Sequence, residues 1–355
     1  MKRAAFIFLV CGFFLFAQTV QAQWSKPKRI SSTSGDSGFA AIALDPSGGI
    51  HVVWEDDTPG NYEIYYSRST DGGTTWSAGQ RISTTPGRSG WPSLAVDPSG
   101  GIHVAWEDTT PVHYAVYYVN SMDGGNNWSS SRRINWTEGN SYNAALAADS
   151  SSHLHLAYND DVPGNEEVYF KKSTNGGTSW MTSKRLSYNL GGSGWPAIGV
   201  DSSGNPHVAW SDSTPGPYEI YYKKSTDGGE TWSVAKRLSF TSAGQNIYVE
   251  IAVDSSANTH LVWQGSRPDG IEIYYKKSTN GGAAWATTRK LTWTAAYDSR
   301  YPDIAAGSTG DLHLVWGEET TGEPEIYYKK GTAGGDTWGA NQRLTWSSGN
   351  SGGRP

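Results

Sequence analysis

The chain has 355 residues, 43 of them glycine and 17 tryptophan, with 17% charged residues and a single cysteine. A formal charge of −6 argues against nucleic acid and anionic membrane as partners, and one cysteine excludes a disulfide framework within the chain. Beyond the first twenty or so residues no stretch carries apolar residues at helical spacing, which excludes leucine-rich, tetratricopeptide and ankyrin arrays.

In chain order, residues 1–22 read as a secretory signal. Lys2 and Arg3 precede an apolar run from Ala4 to Ala17, and Val20-Gln21-Ala22 offers a small-residue cleavage site. Cys11 lies inside that run, where Val10 departs from a lipoprotein box. The mature chain, 23–355, is expected to be secreted, periplasmic or on the cell surface, with no membrane contact after cleavage. Losing Lys2 and Arg3 leaves 26 basic against 34 acidic residues, a charge of −8.

The first full unit then predicts four short strands. Residues 39–44 form the first, followed by the turn Asp45-Pro46-Ser47-Gly48-Gly49, and residues 50–54 the second, followed by a turn over 56–61. Residues 63–68 form the third and 80–83 the fourth. Between these last two stands Ser69-Thr70-Asp71-Gly72-Gly73-Thr74-Thr75-Trp76. Its Asp can accept amides that a tight turn leaves unpaired, its glycines permit positive φ, and its tryptophan can wedge between strands.

That octet returns at 121–128, 173–180, 225–232, 278–285 and 331–338, so its tryptophans are spaced by 52, 52, 52, 53 and 53 residues. Four antiparallel strands at this period are one propeller blade, and the fold class is all-β, a β-propeller of six four-stranded blades. A seventh fourth-strand sequence, Lys28-Arg29-Ile30-Ser31, precedes the first unit, and Arg354-Pro355 is in phase with Tyr301-Pro302. Two counts therefore stay open: six blades with a spare edge strand, or seven with the last cut short.

The octet resembles the Asp-box, or bacterial neuraminidase repeat, S-x-D-x-G-x-x-W, of the sialidase-like propellers. Asn175 and Asn280 replace Asp in two copies, and Gly331 with Ala333 leaves the sixth without either side-chain oxygen, so it is expected to be the weakest turn. The resemblance implies that the boxes lie opposite the ligand face. It also implies, for the sialidases, an arginine triad on the sugar carboxylate, a tyrosine nucleophile paired with glutamate, and an aspartate acid/base.

On the expected ligand face the blades deliver Phe39, Trp91, Asn143, Trp195, Tyr248 and Tyr301 at one phase, and Asp56, Asp108, Asp160, Asp212, Gly265 and Glu318 at another. Aromatic faces beside carboxylates suit a carbohydrate. The same residues also suit blade packing and turn capping. The loop arginines Arg88, Arg267 and Arg300 could converge on an anion. Against catalysis, every loop has nearly one length, Arg29-Ile30-Ser31 replaces the family's R-I-P, and Glu63-Ile64-Tyr65-Tyr66 recurs in three later blades. The repeated histidines 51, 103, 155, 207, 260 and 313 read as scaffold, with a ring nitrogen bonding a neighbouring blade, and no metal or cofactor is expected. The sequence thus leans to a secreted, non-catalytic propeller binding a glycan or glycoconjugate, with exo-sialidase or related glycosidase activity and a protein-interaction module as alternatives.

Overall fold

In the computed structural model, which describes residues 24–241, 244–294, 297–319 and 324–346, strands are the only extended regular structure. Six antiparallel sheets run in chain order, each beginning with an eight-residue innermost strand. Blade 1 comprises Ser37–Leu44, Ile50–Asp56, Glu63–Ser69 and Gln80–Arg81, and the later blades repeat this scheme. The fourth strand shrinks to two residues because only Arg81 and Gln80 pair with Tyr65 and Tyr66 before the chain turns towards the next blade. Residues 1–22, expected to be a signal, and the phase-matched Arg354-Pro355 lie outside the described residues.

The core lies between blades. Val53, Ile64, Tyr66 and Ile82 of blade 1, for example, pack on Leu94, Ile102, Val104 and Trp106 of blade 2. Each buried tryptophan of this kind contributes on the order of 2–3 kcal/mol by leaving water, which is why period and fold are tied so closely. Lysines reinforce the seams: Lys223 Nζ donates to the Leu186 carbonyl of the preceding blade at 2.7 Å, and Lys276 Nζ to that of Leu238 at 3.0 Å.

The octets are hairpin turns on one face. Ser69 Oγ accepts the Gly73 N–H at 2.8 Å, and Asp71 Oδ1 accepts the Thr75 N–H at 2.8 Å. The Thr75 hydroxyl and amide hold the Asp71 carboxyl down at about 2. The sixth copy solves the problem differently. Ala333 takes φ +52°, and Gly331 and Thr332 pair with Trp338 and Thr337 in a short extra hairpin.

The histidines bond mostly within their own blade; the expected link across blades occurs at His207, whose Nδ1 lies 3.2 Å from the Thr259 hydroxyl of blade 5. His103 Nδ1 lies 2.7 Å from the Tyr118 hydroxyl and its Nε2 3.2 Å from Asp97. Burial holds His103 below its ordinary pKa, so the neutral ring donates from Nε2 to the carboxylate and accepts the phenol proton at Nδ1. It is Tyr118 that crosses the seam, meeting Trp180 edge-on at 5.5 Å.

Residues 24–31 form no paired strand. They run along the outer side of the join between blades 6 and 1, with the Trp24 indole donating to Gln342 Oε1 at 3.1 Å and Lys28 reaching the Gly73 carbonyl at 3.3 Å.

Candidate functional site

A single strand irregularity builds the site six times. In blade 1 the register shifts between Gly38 and Ala41, so Phe39 and Ala40 together oppose one residue of the second strand. The same shift occurs between Gly90 and Ser93, Gly194 and Ala197, Ile247 and Glu250, and Arg300 and Asp303. At each bulge the leading residue enters the left-handed region: Phe39 at φ 48°, Trp91 at 53°, Asn143 at 53°, Trp195 at 50°, Tyr248 at 54° and Tyr301 at 52°. Bulky residues rarely sit there, since the conformation costs about 1–2 kcal/mol for each.

Neighbouring blades hold the strain in place through hydrogen bonds to the bulge amide. Trp91 N–H donates to Glu55 Oε2 at 3.1 Å, Asn143 N–H to Glu107 Oε2 at 3.2 Å, and Tyr301 N–H to Gln264 Oε1 at 2.9 Å. Each acceptor follows the second-strand aromatic directly, and each was missed at the sequence level. The signal was there, because that position is polar in five blades: Glu55, Glu107, Asn159, Ser211 and Gln264.

The six bulges converge on the axis and line one cavity of about 390 Å³. Phe39 stacks on Trp91 at 4.1 Å, while Trp195 meets Tyr248 at 5.2 Å and Tyr248 meets Tyr301 at 5.1 Å. Asn143 interrupts the aromatic series, its amide donating to Asn159 Oδ1 at 3.1 Å. The structure therefore brings together the aromatic candidates Phe39, Trp91, Trp195, Tyr248 and Tyr301.

It does not bring the acidic candidates to them. Asp56, Asp108, Asp160, Asp212 and Glu318 are all buried, each capping its own blade. Asp108 accepts from the Thr85 and Ser89 hydroxyls at 2.6 and 2.9 Å, the Trp106 indole at 3.1 Å and the Thr110 amide at 2.7 Å. Asp212 accepts the Trp210 indole at 3.2 Å and the Ser193 hydroxyl at 2.8 Å, and Asp160 accepts the Ser141 hydroxyl. Burial opposes the Asp56 charge, yet the Thr33, Thr58 and Ser37 hydroxyls outweigh it and hold the carboxyl at about 2. Burial wins at Glu318, whose pKa is raised. In blade 5, where Gly265 replaces the acid, Asn246 Oδ1 takes the Trp263 indole N–H at 3.0 Å instead.

The arginines are engaged separately. Arg88 Nη2 pairs with Glu55 at 2.9 Å and its guanidinium covers the Tyr62 ring at 4.8 Å. Arg267 donates to Asn246 at 3.1 Å and covers Tyr274 at 4.9 Å, and Arg300 pairs with Asp298 at 2.5 Å.

Around the cavity the structure adds residues that the sequence reading did not select. Tyr218 meets Trp195 edge-on at 5.5 Å and Tyr114 meets Tyr142 at 6.2 Å. Tyr142 donates its hydroxyl to Glu166 Oε1. Burial first, then that carboxylate, push the Tyr142 phenol well above its ordinary pKa. The available signal was phase: Tyr62, Tyr114, Glu166 and Tyr218 all stand immediately before a third strand. Among the described residues no three His, Cys, Asp or Glu side chains gather into a metal site.

No protein-family model matches the chain. It is 26% identical over 235 residues to a sialidase of Bacteroides fragilis, a match covering 60% of this chain and 42% of that protein, so the chain spans less than half the relative's length. Among solved structures, a leech intramolecular trans-sialidase superimposes with a TM-score of 0.61 at 11% identity, covering 82% of this chain and 67% of that one. A polysaccharide lyase, an ulvan lyase, superimposes with a TM-score of 0.64 at 10% identity, covering 88% and 85%.

Proposed function

The chain is a six-bladed propeller of sialidase-like fold, and on that premise we propose that it binds a glycan without cleaving it, on the axial cavity opposite the octet turns. The observation that carries this reading is the six-fold left-handed bulge. Backbone strain repeated at one position in every blade, with an aromatic ring there in five of six, is retained only where the surroundings over-determine it, and such positions concentrate at ligand sites. Sugar C–H faces stack on tryptophan and tyrosine rings, and the Asn143 amide and the Tyr142–Glu166 pair provide hydroxyl partners at the break in the ring. That structural neighbours are named as sialidase and polysaccharide lyase supports a saccharide of some kind as the partner. Export to the cell surface or beyond belongs to the same reading.

The second reading, a sialidase-type hydrolase, draws on one observation, the Tyr142–Glu166 hydrogen bond, which is the kind of pair the family resemblance implies. It ranks second because that phenol is held protonated, and because Arg88 and Arg300 already pair with Glu55 and Asp298.

The test is a glycan array with residues 23–355, read for bound protein and for loss of terminal sialic acid. Retention on a sugar class that disappears in Trp91→Ala/Trp195→Ala, at unchanged melting temperature, is the expected result. Retention unaffected by that double variant removes the aromatic cavity as the site. Release of sialic acid that is lost in Tyr142→Phe establishes the hydrolase instead.

A further inference from the structure

Six blades closed into a ring would have six apolar seams, but among the described residues there are five such cores, joining blades 1–2, 2–3, 3–4, 4–5 and 5–6. The two walls facing the sixth join are open. Ile42 and Leu44 on the blade 1 side are 63% and 66% exposed, where the Ile42 counterpart Leu94 is 9% exposed. On the blade 6 side Val315, Ile326, Tyr328 and Leu344 are partly exposed, although their counterparts Val53, Ile64, Tyr66 and Ile82 are buried. His313 is exposed, while the corresponding histidines of the other blades are buried.

The segment that bridges this join imitates a blade that is not there. Trp24 stands four residues before Lys28, as Trp76 stands four before Gln80. Its ring meets Tyr328 of blade 6 at 4.8 Å and 68°, and Trp128 meets Tyr66 at 4.9 Å and 68°, an octet tryptophan against the blade before it. Lys28 grips the Gly73 carbonyl of blade 1 as Lys184 and Lys236 grip Gly229 and Gly282 of the blades that follow them, at 3.1 and 2.8 Å. Trp76, which in this scheme would lean on the missing blade, has no aromatic partner among the described residues.

We propose that the join between blades 6 and 1 is the seat of a seventh blade, with Trp24 to Ser31 as its outermost strand. Its three inner strands follow blade 6 in the same polypeptide. The order of elements dictates that source, since every fourth strand leads directly into the first strand of the next blade round the ring. The occupant has the repeat's own chemistry: apolar residues alternating on the first two strands, and a third strand whose tyrosine or phenylalanine meets Trp76. The open seam leaves the cavity wall incomplete at that sector, so the inference concerns scaffold closure and is independent of which ligand the cavity takes.

The mature chain has no cysteine, which permits clean paired labelling. Spin labels at Leu44→Cys and His313→Cys in the protein from residue 23 should report walls about 20 Å apart, two sheet-to-sheet spacings of about 10 Å. A separation near one spacing means that six blades close on themselves and overturns the proposal. In parallel, the chain is extended after Pro355 by a copy of residues 303–332. The extension should raise the melting temperature and slow amide exchange across Ser37–Leu44 at least tenfold, and Trp24→Ala should reverse much of that protection in the extended chain alone. An extension that changes neither quantity refutes the idea. So does concentration-dependent protection of Ser37–Leu44 in the unextended chain, which would assign the seam to a second copy.

Discussion

Replacing Glu167 with alanine should destabilise blade 3 sharply, and a second substitution copied from blade 2 should restore part of the loss. Glu167 is fully buried at the start of the third strand. Its Oε1 accepts from Arg185 Nη2 at 2.7 Å and from the Asn189 amide at 3.0 Å, and its Oε2 accepts the Ser187 hydroxyl. Removing the carboxylate strands a buried hydroxyl and a backbone amide, each costing about 1–2 kcal/mol, while the Arg185 side chain, 25% exposed, recovers water. The expected loss is about 3 kcal/mol. Blade 2 shows how the chain lives without this acid. Ala115 takes its place, Asn135 Oδ1 accepts the Val116 amide at 2.7 Å, Asn135 Nδ2 reaches Ser141, and Arg133 Nη2 turns to the Thr137 carbonyl at 3.2 Å. Glu167→Ala/Ser187→Asn should therefore regain roughly half, about 1.5 kcal/mol, because the stranded hydroxyl is replaced by an amide that can bond Ser193, as Asn135 bonds Ser141. Urea unfolding of the wild type and both variants gives the cycle. A single variant losing less than about 1 kcal/mol, or a double variant no better than the single, would refute the reasoning.

Three further outcomes are expected. Ala333→Gly should stabilise the protein by about 1 kcal/mol, since Ala333 is exposed and holds φ +52°; an unchanged or lowered urea midpoint would show that the sixth turn carries no such strain. Trp91→Gly should remove glycan retention without lowering the melting temperature, because the lost ring contact with Phe39 is offset by relief of a left-handed φ of 53°; a large drop in melting temperature would make that ring a structural residue. Acid should weaken the fold before the carboxylates with depressed pKa values protonate. Burial, with Lys224 nearby, lowers His207 from 6.5 to about 4, so its neutral form stabilises the fold fully above pH 6.5, and the contribution is lost as pH falls towards 4. Between pH 7 and 5 this site alone should cost about 2 kcal/mol. The acids whose pKa values are depressed keep their contribution above 3.8, so His207→Asn should flatten the urea midpoint over that window, and an equal slope in both proteins would contradict the assignment.

The period, the strand order and the octet turns were legible because they are local. Asp71, its glycines and Trp76 state a turn within eight residues, and repetition removes the ambiguity of any one copy. The bulge was not legible, since a positive φ at Trp91 arises from two residues opposing one across a pair of strands, a property of register. Glycine before Phe39, Trp91 and Trp195 was a hint, but Tyr142, Ile247 and Arg300 fill the same place elsewhere. The acids were visible and still misleading as site candidates. Asp56, Asp108 and Asp212 stand two residues after a tryptophan and so share its side of the strand, where the indole N–H claims them. The joint change to Gly265 and Asn246 in blade 5 was the trace of that pairing in the sequence.

The distribution of strain separates scaffold from site better than residue type does. On the outer turns the left-handed positions fall almost entirely to glycine, such as Gly72, Gly73, Gly124 and Gly125, where the conformation carries little steric cost. On the axis the same backbone conformation falls in five of six blades to tryptophan, tyrosine or phenylalanine, residues that a folding requirement alone would not select. Glycine at all six bulges would fold with less strain, and the chain uses it at none. The amides of Trp91, Asn143 and Tyr301 are instead pinned by Glu55, Glu107 and Gln264 from the preceding blade, so each of these three residues is held by two blades at once. For the glycan binding proposed above, an array of rings held rigid at a cost in stability would be pre-organised, because little ordering remains to oppose binding.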